Sequence, residues 1–120
     1  MILVDTNAWI RHLRARDAKL VRFLIEQRVH TCDVVLGELL LGVGLPKTFA
    51  ADLRALPKVP SPTAAETRGF IERHARSLAG SGVGWADAQI LLSAQKAGAR
   101  IYSSDRAVRA LCARLAIAHA

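Results

Sequence analysis

The chain has 120 residues, a length that fits one domain, residues 1–120, and excludes two domains of ordinary size. Its 52% hydrophobic content excludes a disordered chain, and no apolar run reaches the ~18 residues of a membrane span. Seventeen Lys and Arg against ten Asp and Glu give a net charge of +7, which favours a polyanionic partner such as nucleic acid. Without a secretion signal, we expect a cytoplasmic protein with Cys32 and Cys112 reduced and buried.

Short apolar runs predict the strands. The opening run Met1–Val4 ends at Asp5 and is typical of a strand that is buried on both faces. Further strands are predicted at residues 29–32, briefly at an edge before Pro62, at residues 100–103 and at residues 116–119.

Helical spacing of apolar residues and capping signals predict the helices. They run from Asp17 to near Arg28, from an N-cap at Asp33 to Gly42, from Phe49 to Leu56, from the capping box Thr63–Glu66 through Leu78, from Trp85 to Ala97, and from Ala107 to Leu115. The glycine-rich segment Gly80–Gly84 separates the fourth and fifth of these helices.

Alternation of strands and helices without hairpin signals predicts an α/β fold, with a mostly parallel sheet and helices on both faces. In such folds, functional groups lie beyond the carboxyl ends of the strands. Asp5 and Asp105 follow predicted strands directly, and Glu38 and Asp87 lie in helices that can reach the same edge.

These four acids, Asp5, Glu38, Asp87 and Asp105, share apolar or small neighbours, unlike the other six acids of the chain. Each alone is more simply a helix cap or a partner in an ion pair. Grouping several carboxylates without a counter-charge costs several kcal/mol for each group, a penalty that a divalent cation removes. Oxygen ligands without a His or Cys cluster favour Mg²⁺ or Mn²⁺.

Such an ion in a basic domain suits hydrolysis of a phosphodiester bond. Two other functions remain open. One is an aspartate-based phosphotransferase or phosphatase, although Asn7 stands where one such class requires a second Asp. The other is a non-catalytic RNA-binding domain with the same fold.

Four motifs in order carry a family resemblance: Val4–Asn7, Gly37–Gly42, Gly84–Ala88 and Ser103–Arg106. With them, the whole chain resembles the PIN-domain ribonucleases and, among these, the VapC toxins of bacterial toxin–antitoxin pairs. The resemblance implies a five-stranded parallel sheet in an α/β/α sandwich. It also implies endonuclease activity on RNA that depends on Mg²⁺ or Mn²⁺, and inhibition by a small VapB-like antitoxin.

The resemblance also implies roles for single residues. Asp5 and Asp87 match the metal ligands, Glu38 matches the acid that completes the site or holds a second ion, and Asp105 matches a fourth catalytic acid. Thr6, Asn7 and Ser103 match polar residues that orient these carboxylates by hydrogen bonds. The chain departs from the family at Val35, a position that often holds Thr or Ser, so polar support for Glu38 must come from elsewhere.

Basic and apolar residues suggest the contacts with partners. Arg11, Arg14 and Arg106 are candidates for RNA contact, with a solvated helix end or an ion pair with Asp105 as the alternatives. The row Leu39–Leu41 exceeds one core-facing stripe, which favours a homodimer or a toxin–antitoxin hetero-oligomer. The two tryptophans, Trp9 and Trp85, are expected in the core.

Overall fold

A computed structural model of the chain describes residues 1–42 and 44–120. The strands in them are β1 (Ile2–Val4), β2 (Val29–His30) and β3 (Arg100–Tyr102). The helices are α1 (Thr6–Arg14), α2 (Ala18–Ile25), α3 (Asp33–Leu41), α4 (Lys47–Ala55), α5 (Ala64–Arg73), α6 (Ala75–Leu78), α7 (Trp85–Ala97) and α8 (Arg106–Arg114).

The sheet is parallel and has β1 at its centre, in the order β2-β1-β3. Ile2 pairs with Val29 on one side and with Arg100 on the other. All three residues of β1 are fully buried, as expected for a central strand that is apolar on both faces. The chain leaves β1 in one direction to reach β2 and crosses to the other side to reach β3, so the strand order reverses at β1. The carboxyl end of β1 is therefore the place where α/β folds bind ligands.

The expectation of five strands is wrong, because the described residues form a sheet of three. Each expected outer strand is reduced to one parallel bridge, Thr31 with Lys58 and Ile101 with His119. The first outer segment is interrupted by Pro57, Pro60 and Pro62, which cannot donate a backbone hydrogen bond. In the second, Ala116 has a φ of 54°, which prevents regular extended backbone there.

Three helices differ from the prediction. Helix α1 was not predicted; it follows Asp5 at once and buries Thr6, Ala8 and Trp9. The predicted long fourth helix is divided into α5 and α6 at His74. Cys32 takes the N-cap position that was expected for Asp33, which is instead the first residue of α3.

One contiguous hydrophobic core extends from Ile2 to Ile117. Trp9 belongs to it, and its ring packs edge to face on Phe49 with centroids 5.7 Å apart. Trp85 does not, since 48% of it is exposed, so the expectation of a buried Trp85 is wrong. It is the first residue of α7, while the buried face of that helix begins at Ala88. Among the described residues, no helix has the length and apolar character needed to cross a membrane.

Candidate active site

Asp5 is the most deeply buried of the four acids and lies where β1 passes into α1. It is 1% exposed. Its Oδ1 accepts a hydrogen bond from the backbone N–H of Thr6 at 2.8 Å, and its Oδ2 accepts one from Ser103 Oγ at 2.7 Å. The same carboxylate caps the amino end of α1, so the turn from strand to helix fixes its orientation.

Burial raises the pKa of Asp5 from 3.8 to about 6. That value already includes smaller increases from the negative charges of Asp87 and Glu38 and decreases from the hydrogen bonds of Ser103 and Thr6. The pKa of Asp5 is therefore affected by the charges of two other candidate acids that come from distant parts of the sequence.

Glu38 projects from α3, which packs against α1. Its Oε1 accepts a hydrogen bond from Thr6 Oγ1 at 2.7 Å. Thr6 thus contacts two acids, Asp5 through its backbone and Glu38 through its hydroxyl. Val35, where the family often has a polar residue, is fully buried in the core. The polar contact of Glu38 comes from α1 instead.

Asp87 lies in the first turn of α7, where its Oδ2 accepts a hydrogen bond from the backbone N–H of Gly84 at 3.3 Å. Burial raises the pKa of Asp87, and the charge of Asp105 adds to the increase, while the hydrogen bond from Gly84 lowers it. The N–H of Gly84 was not foreseen as a contact, although a glycine before the helix is a usual N-cap signal.

Asp105 caps α8, because its Oδ1 accepts a hydrogen bond from the N–H of Val108 at 3.0 Å. Its Oδ2 accepts one from Asn7 Nδ2 at 3.3 Å. Its own N–H donates to Ser103 Oγ at 3.0 Å, and the same hydroxyl donates to Asp5. Ser103 therefore joins the loop that carries Asp105 to the acid at the end of β1.

His119 is a contact of the site that sequence reasoning missed. Its Nε2 lies 3.1 Å from the backbone nitrogen and 3.2 Å from the backbone oxygen of Ser103, so the tautomer of the ring decides whether Nε2 accepts from the N–H or donates to the carbonyl. Burial lowers the pKa of His119, which favours the neutral ring. His119 lies next to Ser103 because of the bridge between Ile101 and His119, and no local sequence motif indicates this pairing.

The four acids at this edge of the sheet have no direct basic partner in the described part of the chain. Within residues 1–42 and 44–120, none of the four acids forms an ion pair with Lys or Arg, although the chain carries a net charge of +7. In the same residues, no three His, Cys, Asp or Glu side chains already stand at metal-binding separation. The donor set is nonetheless of the kind that hard divalent cations prefer: carboxylate oxygens, one of them fully buried, without a protein counter-charge.

The three candidate arginines lie near Asp105, one of the four acids. Arg11, Arg14 and Arg106 line a cavity of about 480 Å³ together with Asn7 and Asp105. In the described part of the chain, Arg106 and Asp105 form no ion pair within 4 Å, so the guanidinium of Arg106 is available to an anion. A phosphate in this cavity would meet positive charge beside the acidic edge.

The chain is similar to known proteins in sequence and in fold. Residues 2–114 match the PIN domain family. Ribonuclease VapC32 of Mycobacterium tuberculosis is 40% identical over 120 residues, which cover 98% of this chain and 95% of that protein. The crystal structure of FitAcB from Neisseria gonorrhoeae shares the fold with a TM-score of 0.61 at 20% identity, covering 99% of this chain and 96% of that one. PAE2754 from Pyrobaculum aerophilum has a TM-score of 0.56 at 17% identity, covering 96% of each chain. The chain therefore belongs to the PIN-domain family and, within it, to the VapC-type ribonucleases.

Proposed function

We propose that the chain is a metal-dependent endoribonuclease toxin that hydrolyses RNA phosphodiester bonds and is neutralised by a small VapB-like antitoxin. One observation carries the proposal. Four carboxylates from distant segments, each coupled electrostatically to at least one of the others, have no basic partner among the described residues, in a chain with net charge +7. Family membership and the ribonuclease relative add to it.

The residues of the site have distinct parts in the proposal. Asp5 and Asp87 would hold the ion, Mg²⁺ or alternatively Mn²⁺, while Glu38 completes the site or holds a second ion. When bound, the ion would lower the pKa of a water molecule and offset the charge of the scissile phosphate. Asp105 acts as the fourth acid. Thr6, Asn7 and Ser103 keep the acids in place through the hydrogen bonds described above.

The substrate phosphates would lie on the basic side of the site. The cavity of about 480 Å³ supports this assignment, because Arg11, Arg14 and Arg106 line it next to Asp105. Phosphate contacts of this kind hold the strand in register but do not read its sequence.

The proposal is tested by incubating the purified chain with a labelled single-stranded RNA in EDTA and after addition of Mg²⁺, Mn²⁺ or Ca²⁺. Internal cleavage is expected with Mg²⁺ or Mn²⁺ and not in EDTA, because the acids alone leave the charge of the phosphate uncompensated. Cleavage that is unaffected by EDTA would contradict metal dependence. A phosphorylated protein without RNA fragments would favour the phosphotransferase.

The antitoxin would lie along α1 and α3. Four large apolar side chains are exposed there: Ile10, Leu13, Leu40 and Leu41. Ile10 and Leu13 line a cavity of about 380 Å³ that also reaches Glu38 and Arg14. A peptide with apolar anchors in this cavity would cover the edge of the candidate site, as an inhibitor must. The resulting assembly is the expected toxin–antitoxin hetero-oligomer, with a homodimer of this chain as the alternative occupant.

Leu41→Asp is expected to weaken inhibition by the antitoxin at least tenfold while RNA cleavage stays unchanged. Leu41 is 88% exposed, so the substitution removes an apolar anchor without disturbing the core. The measurement is the antitoxin concentration that halves cleavage. Ile25→Asp is the matched control, since Ile25 is 76% exposed and belongs to α2 rather than to α1 or α3. Equal effects of the two variants would contradict the assignment of this surface to the antitoxin. If Leu41→Asp lowers the molecular mass of the oligomer that forms without antitoxin, the surface is that of a homodimer.

We also infer that residues 1–120 form one nuclease domain that works in the cytoplasm. The single core from Ile2 to Ile117 supports the first statement. Cys32 and Cys112 are free thiols and buried, which suits a reducing compartment. Limited proteolysis tests whether the chain is one domain, and a shorter protease-resistant fragment would contradict it. Cell fractionation tests the location, and a secreted chain would contradict the cytoplasm.

A further inference from the structure

A second, smaller cavity lies beside the candidate site. It has a volume of about 140 Å³, below the roughly 300 Å³ at which cavities for small organic ligands begin. Ser103, whose hydroxyl donates to Asp5, lines it. The cavity is thus near the acidic edge and has the size for a small group such as a phosphate.

The walls of this cavity carry more positive than negative charge. Arg11, Lys19 and Arg109 line it, and within the described residues none of them forms an ion pair within 4 Å. Asp17 is the one acid among the lining residues, and its Oδ2 accepts a hydrogen bond from the Tyr102 hydroxyl at 2.6 Å. Its Oδ1 caps α2 by accepting from two backbone N–H groups. That carboxylate is therefore already engaged in hydrogen bonds. The lining side chains leave two positive charges in excess, and because Ala120, the last residue of the sequence, also lines the cavity, a terminal carboxylate there would offset one of them.

The small cavity and the larger one share part of their walls. Arg11 and Ser104 line both of them. An extended anion that lies beside Asp105 in the larger cavity would pass Arg11 and Ser104 and reach Lys19 and Arg109 in the smaller one. The excess positive charge is thus arranged along a path rather than at a single point, which suits a chain of phosphates.

We propose that the cavity between Lys19 and Arg109 binds a backbone phosphate of the RNA substrate, away from the bond that is cleaved. The inference rests on the proposed function, which it extends by a second anchoring point for the strand. RNA is favoured over an acidic protein segment because the cavity shares two wall residues with the one that reaches Asp105. Neither Lys19 nor Arg109 has a part in the cleavage itself.

The test compares two double variants that each remove one Lys and one Arg charge. Lys19→Gln/Arg109→Gln changes the cavity, and Lys47→Gln/Arg54→Gln changes an equal charge in a separate cavity beside α4. Affinity for a fluorescent 12-nucleotide RNA is measured by anisotropy in EDTA, without turnover, over a range of salt concentrations. Thermal melting checks that both variants are folded.

We expect the first variant to bind about tenfold more weakly and the control to change by less than about twofold. The salt dependence of log K should become shallower by about 0.7 for each RNA phosphate that the variant no longer neutralises. In a series of RNAs that each carry one uncharged methylphosphonate linkage, one position should weaken binding by the unmodified chain and have no effect in the variant.

Equal decreases in affinity in the two double variants, or unchanged affinity in the first, would overturn the inference. So would loss of binding to an oligoglutamate peptide while the affinity for RNA is kept, since the cavity would then serve an acidic protein segment. If the expected decreases in affinity occur but RNA is never cleaved with Mg²⁺, this inference stands and the proposed function falls. An unmodified chain that does not bind the RNA overturns both.

Discussion

Asp5→Asn is expected to lower the rate of RNA cleavage about a thousandfold, because loss of a metal ligand removes several kcal/mol of charge stabilisation in the transition state. Asn keeps the size of the side chain and one acceptor oxygen, so the cap of α1 can be retained. It removes the charge of the one acid that is both fully buried and held by Ser103 and Thr6. The measurement is the initial rate on a labelled RNA at saturating Mg²⁺.

Asp33→Asn is the matched control for this substitution. Asp33 is exposed in the first turn of α3 and pairs with Lys58 at 3.2 Å, so its charge already has a basic partner. Its cleavage rate should stay within about twofold of the unmodified chain, since exposed ion pairs contribute little. If Asp5→Asn cleaves as fast as this control, Asp5 is not a ligand and the proposed mechanism is wrong.

The four acids were candidates from the sequence alone because the signal for each of them is local. Asp5 follows an apolar run, Asp105 follows another, and Asp87 opens a helix after a glycine-rich segment. Because β1 and β3 are parallel neighbours, the residues Asp5 and Asp105 that follow them lie at the same edge of the sheet. Local sequence was sufficient here because parallel strands bring their carboxyl ends to one edge.

The contacts among these residues could not be predicted, since they depend on pairs far apart in sequence. Thr6 reaches Glu38 because α1 packs on α3, and α1 itself was missed. His119 reaches Ser103 through a bridge of a single residue. The prediction of the two outer strands was wrong for a different reason. Their sequences are apolar, but prolines interrupt the first and the left-handed residue Ala116 interrupts the second.

The same burial that makes Asp5 a candidate ligand should make the metal-free protein less stable as the pH rises. The pKa of Asp5 is about 6 in the folded protein, whereas the ordinary value of 3.8 applies to the unfolded chain. Below the lower value both states are protonated and Asp5 has no effect. Between the two values the unfolded chain loses its proton first, so the free energy of unfolding decreases with pH. Above pH 6 the full penalty, roughly 3 kcal/mol, remains.

Urea denaturation of the unmodified chain and of Asp5→Asn in EDTA, from pH 3.5 to 7.5, isolates this effect. The difference in the free energy of unfolding between the two proteins cancels the other titrating groups. We expect the variant to gain up to about 3 kcal/mol on the unmodified chain between pH 4 and 6, because Asn carries no charge to desolvate. A difference that is independent of pH would contradict the raised pKa of Asp5.

Addition of Mg²⁺ then separates a metal ligand from a carboxylate that is merely buried. An ion that binds the folded state at 100 times its dissociation constant stabilises it by about 2.7 kcal/mol. At pH 7.5 the unmodified chain should recover most of the deficit, while Asp5→Asn should gain little because its ligand is gone. Equal stabilisation of both proteins would mean that the ion binds elsewhere. The loss of stability when Asp5 ionises and the gain when Mg²⁺ binds would then arise at the same carboxylate. Both have one physical cause, a buried negative charge that lacks a counter-charge.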